Sequence, residues 1–206
     1  MNFMIISFAV KAVGTPKEYK NLLIMRETGE KTKEAIAKKL SEIKPNTMLE
    51  LDFSSIEFMD VSCADEVVVK VLARLEAGEY PDRFIILSHL DDQHRENIET
   101  ALRVSKKAVI VKEESGWSIL GELINSYREA LSKVVEHGTI TANELQRAMQ
   151  YNTINEASTK LSYLYQRCLV AREPHREAVR GGGRQFRYLS LLKANQNGKT
   201  GTTGEN

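Results

Sequence analysis

Residues 48–75 read MLELDFSSIEFMDVSCADEVVVKVLARL, and the change of period inside this stretch decides the fold. Residues 48–53 form a short apolar run of strand length, whereas in 64–75 the apolar positions Val67, Val68, Val71, Leu72 and Leu75 recur at three and four, the spacing of a helix face. A strand therefore hands over to a helix across a short polar connection. The same alternation extends in both directions. Strands are expected at 4–10, 21–25, 84–87 and 108–111, and helices at 32–43 and 92–104. The first of these helices carries Ile36, Leu40 and Ile43 and stops before Pro45; the second follows the acidic pair Asp91-Asp92, which suits a helix N-terminus. Strands alternating with amphipathic helices predict an α/β fold, a sheet covered by helices, through residue 124.

Beyond residue 111 the pattern changes. Leu120, Leu123, Ile124, Tyr127, Leu131, Val134 and Val135 recur every three or four residues, which predicts one long helix over 118–136, stopped by Gly138 and shared between two domains. Helices over 142–150 and 154–169 follow, with Thr141/Glu144 and Thr153/Glu156 at capping-box spacing. A basic hairpin comes next. The division expected is 1–124, 125–192 and a hydrophobe-poor tail, 193–206, predicted to be disordered.

The composition bounds the function. The chain has 206 residues, 28% charged and 42% hydrophobic, with net charge +1, which excludes a uniformly basic nucleic-acid coat. The charge is unevenly placed: 17 basic and 21 acidic residues stand up to Ile124, and 12 basic and 7 acidic from Asn125 onward. Only the second part is built to meet an anion. The two cysteines, Cys63 and Cys168, form no ligand pair or disulfide framework, so the expected setting is the cytoplasm. The run from Phe3 to Val10 is too short for a membrane span, which needs about 20 residues. Gly198-Lys199-Thr200 imitates the end of a phosphate loop, but Lys193 stands where its first glycine belongs. His89, His94, His137 and His175 form no catalytic or metal-binding pattern and read as solvated surface. No cofactor, metal or catalytic group is expected, and the protein reads as a non-enzyme.

Asp52-Phe53 at the end of a strand and Ser62-Cys63-Ala64-Asp65-Glu66 at the start of a helix resemble the STAS domains of anti-sigma factor antagonists, and more closely the divergent STAS-like family, over roughly residues 20–123. Cys63 replaces an aromatic residue of that motif. The resemblance implies an interaction module with a protein kinase or ATPase-type partner, regulated in relatives by phosphorylation of the serine that follows the aspartate. Here Val61 holds that place and Ser62 is the nearest hydroxyl. Two readings of Ser62 stand: a helix cap with Asp65 three residues on, or, with Asp60 and Asp65, a phosphorylation or partner site.

The order of elements after residue 126, with Thr141-Ala-Asn-Glu-Leu145 and Gly181-Gly-Gly-Arg184-Gln-Phe-Arg-Tyr188, resembles the winged helix-turn-helix of bacterial transcription regulators over about 127–192. In its third helix Ile154, Ala157, Leu161, Leu164 and Cys168 share an apolar sector. Asn155, Thr159, Ser162, Tyr163 and Gln166 fall opposite, a polar and nearly uncharged face that suits groove reading. With Thr153 at the helix start and Arg176, Arg180, Arg184 and Arg187 on the hairpin, these form the candidate DNA contacts. Phe186 and Tyr188 are in phase and read as wing packing. The function expected is a cytoplasmic, dimeric, DNA-binding transcriptional regulator whose STAS-like domain senses a partner. The alternative is a partner-switching adaptor in which both domains bind proteins.

Overall fold

The computed structural model describes residues 4–175 and 185–192. The chain begins with β1 (Met4–Ala9), a 3-10 turn (Lys17–Tyr19), β2 (Leu22–Leu23), α1 (Arg26–Glu42), β3 (Thr47–Asp52) and β4 (Phe58–Met59). A helix follows in three parts, α2 (Val61–Ala64), a π-helical segment (Asp65–Val69) and α3 (Lys70–Glu76). Next come β5 (Arg83–Ser88), α4 (Asp92–Ser105), β6 (Ala108–Glu113) and β7 (Gly116–Gly121). The remainder is α5 (Asn125–His137), β8 (Thr139–Thr141), α6 (Ala142–Met149), α7 (Ile154–Gln166), β9 (Val170–Pro174) and β10 (Phe186–Ser190).

Five strands make a mixed sheet in the order β1-β3-β5-β6-β7, the first four parallel and β7 antiparallel to β6. Because the parallel strands are laid down in sequence order, right-handed crossovers put all their helices on one face. Leu49, Leu51, Ile85, Leu87, Val109 and Val111 point to that face and pack with Ile36 and Leu40 of α1, Val67 to Leu75 of the three-part helix, and Ile98 and Leu102 of α4. The alternate residues of the same strands, Met48, Phe84, Ile86, Ala108 and Ile110, point the other way. They share one apolar cluster with Leu131 and Val134 of α5, Leu161 and Leu164 of α7, and Tyr188 and Leu191. The C-terminal elements thus serve as the second layer of the sheet. Three short strands, β8-β10-β9, form a separate antiparallel sheet at that end.

The α/β architecture follows the expected alternation, but the long helix predicted over 118–136 does not form. Gly116–Gly121 is instead the antiparallel edge strand β7, and the helix starts only at Asn125. Leu120 and Leu123 lie three apart in either conformation. Trp117 and Ile119 also alternate with Ser118 and Leu120, and pairing with β6 satisfies the backbone of 116–121 through a ladder from Ala108↔Gly121 to Glu113↔Gly116. The last predicted helix also stops early: α7 ends at Gln166, and Cys168 takes φ +55 before β9. The tail predicted to be disordered, 193–206, lies outside the described residues.

Candidate functional site

The short helices that present the C-terminal polar face are fixed by their caps. Thr141 and Glu144 form a reciprocal box: Glu144 N–H donates to Thr141 Oγ1 at 3.3 Å, and Thr141 N–H donates to Glu144 Oε2 at 2.7 Å. The bonds that the Glu144 carboxylate accepts, from Thr141 N–H and from the Thr141 hydroxyl at 2.8 Å, hold it below its ordinary pKa. At α7 the Thr153 half of the box is present, with Glu156 N–H donating to Thr153 Oγ1 at 3.3 Å. Ala157, Leu161 and Leu164 are buried inward as expected.

Opposite them Asn155, Thr159 and Gln166 are exposed along one side of α7, and Thr153 is exposed at its N-cap. Two candidates in that stripe have other duties. Ser162 is half-buried, its Oγ 3.3 Å from the Tyr188 hydroxyl of β10. Tyr163 packs its ring 4.1 Å from that of Tyr127 on α5. The sector angle placed Tyr163 outward, but α5 lies beside that flank and offers an aromatic surface, which outweighs exposure. Ile154, assigned to the apolar sector, is instead exposed at the helix start.

Cations around α7 are held by aromatic rings, a pattern that helical spacing does not reveal because the partners come from three elements. Lys160 Nζ lies 5.0 Å from the Tyr127 ring and 5.3 Å from that of Tyr151. The Arg172 guanidinium sits between Tyr165 and Phe186, 3.9 and 4.4 Å from their ring centres. Arg187, half-buried on β10, approaches His175 Nδ1 at 3.4 Å. Tyr188 is buried and Phe186 half-buried, which fits packing in place of base stacking. Arg176, Arg180 and Arg184 lie outside the described residues.

In the first unit the helix start is organised by Asp60, where the spacing had suggested Ser62. Asp60 is the N-cap: its Oδ1 accepts from Cys63 N–H and from the Ser62 hydroxyl, both at 2.7 Å, and its Oδ2 accepts from Met25 N–H at 3.0 Å. Burial opposes the charge, but these donors hold the Asp60 carboxyl below the usual range. Met25 has φ +67, a conformation costly for a side chain with a Cβ, and the Asp60 bond pins it. Asp65 is not part of a cap with Ser62; it faces Arg26 and Lys70 at 3.8 and 3.9 Å. The adjacent Glu66 is fully buried and bound by Lys33 and Lys70. Met25, 66% exposed, and Val61, 39% exposed, flank the cap with apolar surface.

Replacing Asp60 by alanine is expected to cost about 2 kcal/mol in a urea titration, because two backbone donors lose their acceptor together. Ser62→Ala removes one donor and should cost less. A loss for Asp60→Ala no larger than that for Ser62→Ala would remove Asp60 as the anchor.

Reactive groups are few among the described residues. Burial raises both thiols, Cys63 with help from the Asp60 charge, to about 12, so neither is a thiolate at neutral pH. His94, expected on the surface, is 2% exposed, with Nδ1 3.1 Å from Asp91 Oδ1 and a buried Nε2 that has no partner among the described residues. It stands three residues after the N-cap Asp91, where the helix start turns it inward against Phe53. Burial lowers its pKa from the ordinary 6.5, against the pull of Asp91. A lowered folded pKa means that the unfolded chain takes up the proton first, so this stability is present above pH 6.5 and is lost as pH falls toward the folded value. His94→Gln should flatten melting temperature against pH in that acid window; an unchanged slope would assign the loss to other groups.

Comparison of the chain with known protein families, with curated proteins and with solved structures finds no match.

Proposed function

We propose that this chain is a cytoplasmic, non-enzymatic regulatory protein whose C-terminal unit is a winged helix-turn-helix binding duplex DNA. The observation that carries the reading is the order α5, β8, α6, α7, β9, β10 with the sheet arranged β8-β10-β9. Two capped helices precede an antiparallel strand pair in that order, which supports a reading in which a polar helix face enters the groove and residues 176–184 meet the backbone. In this reading α7 enters the major groove through Asn155, Thr159 and Gln166, Thr153 sits at its leading end, and Arg187 with Arg176, Arg180 and Arg184 meets phosphates from the hairpin. The α/β unit is a STAS-like partner-binding module, and the surface around Asp60, Ser62 and Asp65, with exposed Met25 and Val61 beside it, receives a kinase or ATPase-type protein. Two copies read two half-sites as a homodimer. No described helix is long and apolar enough to cross a membrane.

A partner-switching adaptor is the second reading, favoured by one observation. Two cations at α7 are already engaged: Lys160 lies between two tyrosine rings, and Arg167, at the C-cap just past the helix, stands 3.5 Å from Glu76 of the first unit.

Fluorescence anisotropy on mixed-sequence duplex DNA at several salt concentrations separates the two. Binding is expected, with a slope of log K against log salt that falls by about 0.9 for each phosphate contact removed in Arg180→Ala/Arg184→Ala. Asn155→Asp/Gln166→Glu, which adds two negative charges to the outward stripe, should abolish it. No binding at low salt would overturn the DNA reading and leave the adaptor.

A further inference from the structure

The sheet face turned toward the C-terminal unit becomes polar at the carboxyl ends of its parallel strands. Asp52 of β3, Ser88 of β5, Lys112 of β6 and Trp117 of β7 stand in one row across the register, with Glu50 two residues before Asp52 on the same face. Lys112 Nζ donates to both Glu50 oxygens, at 2.9 and 3.0 Å. Two adjoining cavities open here, and Lys112 and Glu113 line both. One, of about 320 Å³, has apolar walls from the sheet (Met48, Ile86, Trp117) and from the C-terminal unit (Val135, Leu191), with the Glu50–Lys112 pair as its polar end. The other, of about 540 Å³, is polar and includes Ser88, His89 and Arg95. The carboxyl ends of strands are where open α/β sheets take their ligands.

Charge and hydrogen-bond inventory narrows the occupant. Glu113 is already engaged by Arg95 at 2.6 Å and by the Ser118 hydroxyl, and His89 by Asp52 at 2.9 Å, so these groups have their partners. Ser88 does not: it is 2% exposed, lines the polar cavity, and its hydroxyl has no hydrogen-bond partner among the described residues. A buried hydroxyl without a partner costs free energy that a ligand can return. The remaining ionic pair is Glu50 and Lys112. A ligand with a lone carboxylate would draw Lys112 away and strand a buried Glu50, and a lone amine would strand the lysine. A molecule carrying both charges leaves neither unpaired.

We propose that this cleft binds a free α-amino acid with an apolar side chain. Its ammonium meets Glu50, its carboxylate meets Lys112 beside the Ser88 hydroxyl, and its side chain lies against Met48, Ile86 and Trp117. The Lys112 side chain is half exposed while that of Glu50 is nearly buried, so the lysine is the arm that moves to admit the ligand. A volume of about 320 Å³ stands at the small end of ligand pockets and suits one molecule of this size.

Trp117 is the chain's single tryptophan, so its fluorescence reports the cavity directly. The full chain, without DNA, is titrated with L-leucine, L-methionine and L-phenylalanine, and with 4-methylpentanoate and 3-methylbutylamine, which each lack one charge of leucine. A saturable change with at least one amino acid is expected, with binding about tenfold or more weaker for either one-charge analogue and for Lys112→Met. Ile86→Phe fills the cavity and leaves the ion pair, and should also remove binding; melting curves establish that both variants are folded. Equal binding of 4-methylpentanoate would overturn the zwitterion, and no saturable signal from any of the three amino acids would overturn the site. Neither result depends on DNA binding.

Discussion

Gly121→Ala is expected to lower stability by about 3 kcal/mol or more, read as a fall in the urea midpoint. Gly121 ends β7 with φ +88, and a Cβ built there would lie 2.1 Å from the Lys107 carbonyl oxygen and 3.0 Å from Leu102 Cβ. The left-handed conformation alone costs an L-residue roughly 1–2 kcal/mol. The clash adds to it because the obstacle is backbone: the Lys107 carbonyl accepts from Glu122 N–H at 2.8 Å, and Gly121 N–H donates to Glu99 Oε2 at 2.5 Å. Neither side can retreat without breaking a bond. The position also turns the chain from the sheet edge into Leu123 and α5, so the strain falls on the connection between the two units. A loss below about 1 kcal/mol would mean that the turn relaxes freely, which the close backbone contact forbids.

Phe84→Ala should cost about 3–5 kcal/mol and should unfold both units together. Phe84 is buried on β5, on the face covered by the C-terminal elements, and belongs to the cluster that contains Leu131, Leu161 and Tyr188. Trp117 fluorescence follows the sheet, and far-UV circular dichroism follows the helices on both sides. The two signals are expected to trace one transition in the wild type and in the variant. Leu161→Ala, on α7, should move that same transition by about 2–5 kcal/mol. Two transitions, of which Phe84→Ala shifts only the first, would show that the shared apolar layer is a contact between independently stable bodies.

Sequence periodicity located the buried strands and the main helices because their apolar residues report one neighbour each: Leu49 and Leu51 to one face, Ile36 and Leu40 to one stripe. It failed where one residue satisfies two patterns. Leu120 and Leu123 fit a helix stripe as well as the end of a strand and its following turn, and only the ladder to β6 decides between them. At Asp60 the capping donors Ser62 and Cys63 are two and three residues on, within reach of a local reading, and only the bond from Met25 N–H, 35 positions away, had no trace in the spacing. Of the candidate DNA contacts, Asn155, Thr159 and Gln166 occupy the exposed stripe that helical geometry assigned them. Tyr163 does not, since the flank that α5 covers depends on how three helices pack. The cleft at Glu50, Ser88 and Lys112 left no local trace, because its residues come from three strands that become neighbours only in the sheet register.

Because the crossover helices all lie on one face, the other face waits for the C-terminal elements during synthesis. The strands from Met4 to Gly121 leave the ribosome before the elements that shield Met48, Phe84, Ile86, Ala108 and Ile110, and those elements run to residue 192. At about 5–20 residues per second the remaining 71 residues take roughly 4–14 s to emerge. For that interval the nascent sheet carries an apolar wall facing water, the kind of surface that chaperones hold and that neighbouring nascent chains can pair with. The last strand among the described residues, β10, therefore ends the period in which this wall is most exposed to aggregation.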